Sequence, residues 1–298
     1  MARMNGYQLS LTFVAENLKK HLSHLSKRGP HRVLAGDLNI AGLPGKVYAP
    51  AEGKALPAVA FGHDWMQHVD QYHKTLRHLA SWGIVVAAPD TETGPVPHHN
   101  GLAADLESTL QALSSVRLGT GNITVSPRKL GIAGHGMGAG AAILAASQLQ
   151  HDDVRPVKAV AAVYPATTTP SAEAAARDVE VPGLILSPGD DSLISKGNPY
   201  RIAENWGGDV AFRELTKGRP DGFTESFLKK FFIGLGLPQT GVQETIRGLL
   251  TGFFLHQLEG QRKYSGFSAF EANGKGLRVY DADRLRRKAD NRYEEFTA

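Results

Sequence analysis

Gly134-His135-Gly136-Met137-Gly138 has the spacing of the G-x-S-x-G turn that presents a catalytic serine, with glycine in the serine's place. In such a turn a strand runs sharply into a helix, small residues let the two approach, and the backbone N–H after the nucleophile helps to hold an oxyanion. The chemistry served is acyl transfer. Every part but the hydroxyl is present, because a strand-forming run, Lys129–Ala133, precedes the turn and a small-residue helix pattern from Gly138 to about Gln150 follows it. Glycine also suits the place sterically, since it enters the positive-φ region without the strain of about 1 to 3 kcal/mol that other residues meet there. A second reading of the same glycines is a phosphate cradle. Gly134, Gly136, Gly138 and Gly140 fit G-x-G-x-x-G poorly, however, and stand in the middle of the chain instead of after a first strand.

The elements that must position this turn follow from apolar periodicity. Leu11, Val14, Leu18, Leu22 and Leu25 form a helical stripe with Lys19, Lys20, Lys27 and Arg28 mostly off it, so residues 1–32 read as a basic amphipathic helix. Beyond Gly29-Pro30, β-prone runs at Val33–Ile40, Gly45–Ala49 and Ala58–Phe61 lead into alternating strands and helices. Helix stripes run through Val69, Tyr72, Leu76 and Leu79 and through Leu102, Leu106, Leu110, Leu113 and Val116. Further strands are predicted at Gly83–Ala88, Val157–Tyr164, Pro182–Ser187 and Val210–Leu215. Such alternation implies an α/β domain, over about 33–270, with a mainly parallel central sheet and helices on both faces, because parallel strands need crossovers. Residues 271–298 alternate charges and read as a solvated tail or short exposed helix.

Three stretches, met in this order, carry a family resemblance: AVAFGHDWMQHVDQYHKTLRHLASWGIVVAAPDTET, SPRKLGIAGHGMGAGAAILAASQ and VPGLILSPGDDSL. Over residues 46–265 the chain resembles the α/β-hydrolase superfamily, in its cutinase, polyester hydrolase and dienelactone hydrolase branch. The resemblance implies the α/β-hydrolase fold and assigns the nucleophile position to Gly136 and the acid to Asp191, beside Asp190. Gly62-His63-Asp64-Trp65 falls on the oxyanion loop, with the N–H groups of His63 and Met137 at the oxyanion donors' places and His135 beside the nucleophile. The general base would follow the last strand, where Lys217-Gly218-Arg219-Pro220-Asp221-Gly222 holds no histidine and Asp221 aligns best. The implied triad Gly136, Asp191, Asp221 is therefore degenerate, and loss of nucleophile or base lowers turnover on the order of a million-fold.

No other chemistry stands out. With no cysteine there is no disulfide and no thiolate metal site, and His63, His68, His73 and His78 recur every five residues, which scatters them around a helix; no metal and no cofactor are expected. Trp65 and Trp206 are candidates to line the cleft. The formal charge of +4 is concentrated in residues 1–32, where Arg3, Lys19, Lys20, Lys27, Arg28 and Arg32 face only Glu16. That is not the spread basic face of a nucleic-acid binder, and none is expected. The run Tyr7–Ala15 is broken by Gln8, Ser10 and Thr12 with no cleavage pattern, so the expected location is cytoplasmic, with association at a membrane surface left open. Three readings compete: a pseudo-hydrolase that binds, an ester or lactone hydrolase with a non-standard site, and a scaffold. The first holds an acyl- or carbonyl-type ligand in the pocket formed by His63, Asp64, Trp65, His135 and Met137, or a protein or anionic membrane through residues 1–32. The second activates water without a covalent intermediate. The third uses residues 1–32 and the segment 224–240, next to Phe223 and carrying Phe227, Phe231 and Phe232.

Overall fold

The computed structural model describes residues 18–149, 157–190, 197–225 and 238–297. Val85–Pro89 (β4), Val157–Val163 (β7) and Gly183–Pro188 (β8) are near-continuous apolar runs, the pattern of strands covered on both faces, and Val210–Leu215 (β9) is covered likewise although it carries Arg213 and Glu214. With Gly53–Gly62 (β3) and Ile123–His135 (β6) they make the parallel centre of one sheet. Val33–Asp37 (β1), Gly45–Pro50 (β2) and Leu277–Arg278 (β10) pair antiparallel at its edges, and the short Arg117–Leu118 (β5) pairs beside β6. The order is β1-β2-β4-β3-β6-β7-β8-β9-β10, with β5 off this path.

Helices cover both faces. Residues 18–25 (α1), His73–Ser81 (α2) and Thr240–Gln257 (α7) bury Leu18, Leu22, Leu25, Leu76, Leu79, Ile246, Leu249 and Phe253 in one apolar cluster. His99–Ser115 (α3), Met137–Leu149 (α4), Ala172–Ala175 (α5), Pro199–Asn205 (α6) and Ala282–Thr297 (α8) contribute to the other. α4 is buried almost all round, as its run of alanines and glycines allows.

Several segments depart from the reading of the sequence. β3 and β6 start earlier than their apolar cores, at Gly53 and Ile123, through a bulged pairing around Leu56. The charged C-terminal stretch is not a solvated tail: Leu277 joins the sheet, and Tyr280, Leu285 and Ala289 belong to the core against α6. The reason is a sparse stripe, since Leu285, Ala289 and Arg292 recur at helical spacing and only the intervening positions carry the exposed charges.

α1 is strapped to α2 and α7. The His78 ring donates from Nε2 to the Leu25 carbonyl at 2.8 Å, the Gly29 N–H donates to Ser81 Oγ at 2.8 Å, and Gly248 leaves room for Leu22 and Ser26. Burial, helped by the nearby Arg247 cation, pushes the His78 pKa down to about 4 against the pull of the Leu25 carbonyl. The unfolded chain therefore takes up a proton below about pH 6.5 that the folded chain refuses until about pH 4, and stability present above 6.5 is lost across that window. Chemical denaturation at pH 7 and pH 4 is expected to show a loss about 3 kcal/mol larger for the wild type than for His78→Gln; parallel losses would refute this assignment.

Candidate functional site

The C-terminal ends of β3 and β6 and the start of α4 meet at three glycines. A Cβ on Gly134 would run into the backbone of Gly138, one on Gly138 into Gly62, and one on Gly62 into Gly138. Strand and helix can cross this closely only without side chains. Gly136 follows at φ +54°, its N–H donating to the Val163 carbonyl at 3.0 Å and its own carbonyl accepting from Ala139, Gly140 and Ala166. The backbone thus makes the sharp strand-to-helix turn that the sequence promised.

The space in front of Gly136 is occupied by the chain itself. Asp64, on the loop leaving β3, places its carboxylate where a side chain at 136 would project, and a Cβ built there would overlap Oδ1 and Cγ. Oδ1 accepts the Met137 N–H at 2.9 Å and the Trp65 N–H at 2.8 Å. The Met137 amide, which the resemblance assigns to an oxyanion, therefore already holds a carboxylate supplied from within. Glycine at 136 is required twice over, by the positive φ and by the carboxylate.

A buried relay holds Asp64 in this pose. Its backbone N–H donates to Tyr72 Oη at 3.0 Å, Tyr72 Oη donates to His135 Nδ1 at 2.9 Å, and His135 Nε2 donates to the Pro220 carbonyl at 3.1 Å. These partners fix the imidazole with its proton on Nε2. Complete burial, reinforced by the Asp64 charge, raises the Tyr72 pKa well above its ordinary value, so the phenol stays a donor. His135 Nδ1 lies 3.9 Å from Asp64 Oδ2, and Phe223 closes over the imidazole with ring centroids 5.1 Å apart.

The pattern of the dienelactone hydrolase family matches residues 43–211, more than half of the chain. The chain belongs to the dienelactone hydrolase family. No curated protein matches it. The matched span includes the Asp64 loop, the elbow and β8, and ends in β9 before the 217–223 turn.

In this dienelactone hydrolase family member the expected site residues fare unequally. Asp64, His135, Gly136 and Met137 come together as described. His63 sits beside them but is fully buried, with ring nitrogens 2.8 Å from the Asp64 carbonyl and 2.6 Å from the Thr91 carbonyl, which makes it a brace for the loop and not a base facing a ligand. Trp65 points outward, 52% exposed, and donates from Nε1 to the Pro95 carbonyl at 3.0 Å. Asp221 lies in the turn after β9, in a 3-10 turn at Pro220–Phe223, with Oδ1 3.3 Å from Arg219 Nε. Asp191 lies outside the described residues, as do Phe227, Phe231 and Phe232, whereas Phe223 is core. Trp206 does not line the site: it packs on Gly183 and donates to the Val181 carbonyl, at the opposite end of the parallel strands. The four evenly spaced histidines diverge, His68 to Asp90, His73 to Tyr48 and His78 to Leu25, and among the described residues no three His, Asp or Glu side chains cluster as a metal site. No helix among the described residues is long and apolar enough to cross a membrane.

Tyr72 was legible only as one member of an apolar stripe. A phenol among Val69, Leu76 and Leu79 was the available signal, because a buried tyrosine hydroxyl usually finds a polar partner.

Proposed function

We propose that this family member does not transfer acyl groups at its elbow and acts by binding. The observation that carries the reading is the Asp64 carboxylate on the Met137 N–H, in the volume a nucleophile would need. An acyl ligand entering there would have to displace a carboxylate held by two amides, and would meet no hydroxyl at Gly136 and no histidine in the 217–223 turn. Without nucleophile and base, turnover falls on the order of a million-fold below that of an intact triad. The binding role is placed on the basic N-terminal surface. There Leu18, Leu22 and Leu25 are spent on the domain's own core while Lys19, Lys20, Lys27 and Arg28 face solvent, which favours recognition by charge over insertion of apolar side chains.

A second reading has its own support. Asp64 is only partly buried, at 30% side-chain exposure, and Oδ2 is not the oxygen that the two amides hold, so the carboxylate has the chemistry of a general base for water attack on an ester or lactone. A fluorophosphonate probe and p-nitrophenyl acetate separate the two. The expected outcome is no stoichiometric serine labelling and an ester rate that Asp64→Asn leaves within about twofold. Labelling would overturn the proposal, and a fall of about 10² or more in Asp64→Asn would establish the second reading.

A further inference from the structure

The exit of α1, the outer face of α2 and the start of α7 enclose a cleft of about 990 Å³. Lys27 and Arg28 line it from the segment after α1, Lys74 and Arg77 from α2, and Thr245 and Glu244 from α7. None of the four cations makes an ion pair among the described residues, and Glu244 is the one carboxylate on the wall. The positions are built in. The Lys27 carbonyl accepts from Trp82 Nε1 at 3.0 Å and the Gly29 N–H is tied to Ser81, so the α1 exit is fixed against the end of α2. At the floor, Arg247 is neutralised by Glu225 at 3.1 Å, and His78 is kept uncharged by burial, so neither adds to nor cancels the charge above them.

Four like charges gathered from two elements repel one another, and a bound anion removes that repulsion. The neighbouring cleft, across His73 and Lys74, carries Asp37, Asp70, Asp90 and Glu225, so an anion is directed to the α1–α2–α7 side alone. Lysines and arginines lining a space much larger than one phosphate suit a ligand with two or more phosphate groups, each met by charge-assisted hydrogen bonds. We infer that this cleft binds a multiply phosphorylated ligand through Lys27, Arg28, Lys74 and Arg77. The inference rests on the binding half of the reading above and not on the silence of the elbow, which the phosphonate probe tests separately.

Inorganic pyrophosphate is the probe, followed by calorimetry at low salt on the full chain. Lys74→Glu/Arg77→Glu is expected to weaken binding at least about tenfold, while Arg128→Glu/Lys158→Glu, an equal charge change at exposed sites away from the cleft, leaves it within about twofold. Lys27→Gln/Arg28→Gln, at exposed positions on the α1 exit, repeats the test should the first pair fail to fold. No binding of pyrophosphate, or equal weakening by the control pair, overturns the site. Vesicles of phosphatidylcholine with a tenth of phosphatidylinositol bisphosphate then identify the source. Sedimentation lost in the cleft variant and competed by pyrophosphate assigns a lipid headgroup. Pyrophosphate binding without sedimentation assigns a soluble phosphoester. Equal sedimentation with phosphatidylserine vesicles, unaffected by the cleft variant and by pyrophosphate, marks unspecific attraction and overturns the assignment.

Discussion

Gly136→Ser alone is expected to destabilise the protein by about 3 to 5 kcal/mol and to leave it unlabelled by a phosphonate probe. Two causes add. A serine at φ +54° carries left-handed strain of about 1 to 3 kcal/mol, and its Cβ overlaps the Asp64 carboxylate, which must leave the Met137 amide or push the turn apart. Asp64→Ala by itself is expected to cost only about 1 kcal/mol, because water replaces the carboxylate on the two amides it serves at this partly exposed site. The double replacement Asp64→Ala/Gly136→Ser should then be more stable than the sum of its parts by about 1 to 3 kcal/mol, the signature of two residues competing for one volume. Urea unfolding of the four proteins measures the coupling. Strict additivity would mean that the carboxylate does not fill the elbow in solution.

The second large effect belongs to Glu225. Its carboxylate accepts the backbone N–H groups of Lys74 and Thr75 at 2.8 and 2.9 Å, the Thr75 hydroxyl at 3.1 Å and the Arg247 guanidinium at 3.1 Å. One residue thus satisfies the first turn of α2, where an anion is favoured, and neutralises a cation that is only 9% exposed. Glu225→Ala removes both functions and leaves Arg247 buried and uncompensated, with an expected cost of about 4 kcal/mol. Glu225→Gln keeps the shape and the acceptor oxygen and should recover part of the loss. If both variants cost under about 1 kcal/mol by the same unfolding measurement, the ion pair is not formed in the folded protein.

Much of the architecture was legible because parallel strands and their covering helices write their burial directly into the chain. Val157–Val163 and Gly183–Pro188 are apolar but for the exposed Lys158 and the buried Ser187, and the stripe Leu102, Leu106, Leu110 and Leu113 repeats at the pitch of α3. The turn at Gly136 was legible too, since glycine spacing reports backbone approach. What local pattern does not encode is the partner across space. Nothing near Asp64 in sequence says that it faces Gly136, 72 positions later, and nothing near Glu225 says that it caps α2. Arg213 is the sharpest case: an arginine inside a β-run, fully buried, finds its partners in the carbonyls of Phe212, Ala269 and Phe270, and burial lowers its pKa to about 9. The packing of the C-terminal helix was not legible for a different reason, because its few apolar contacts are outnumbered by the charges between them.

The packing of α1 also has a consequence in time. Leu22 is closed off by Gly248 on α7, so this part of α1 finds its cover only after more than two hundred further residues have been added. At about 5 to 20 residues per second, Leu22 stays without this cover on the growing chain for roughly 10 to 45 s. During that interval the nascent protein presents an apolar side chain beside the basic face that alone remains in the finished protein, and holdase chaperones meet a different surface from the final one.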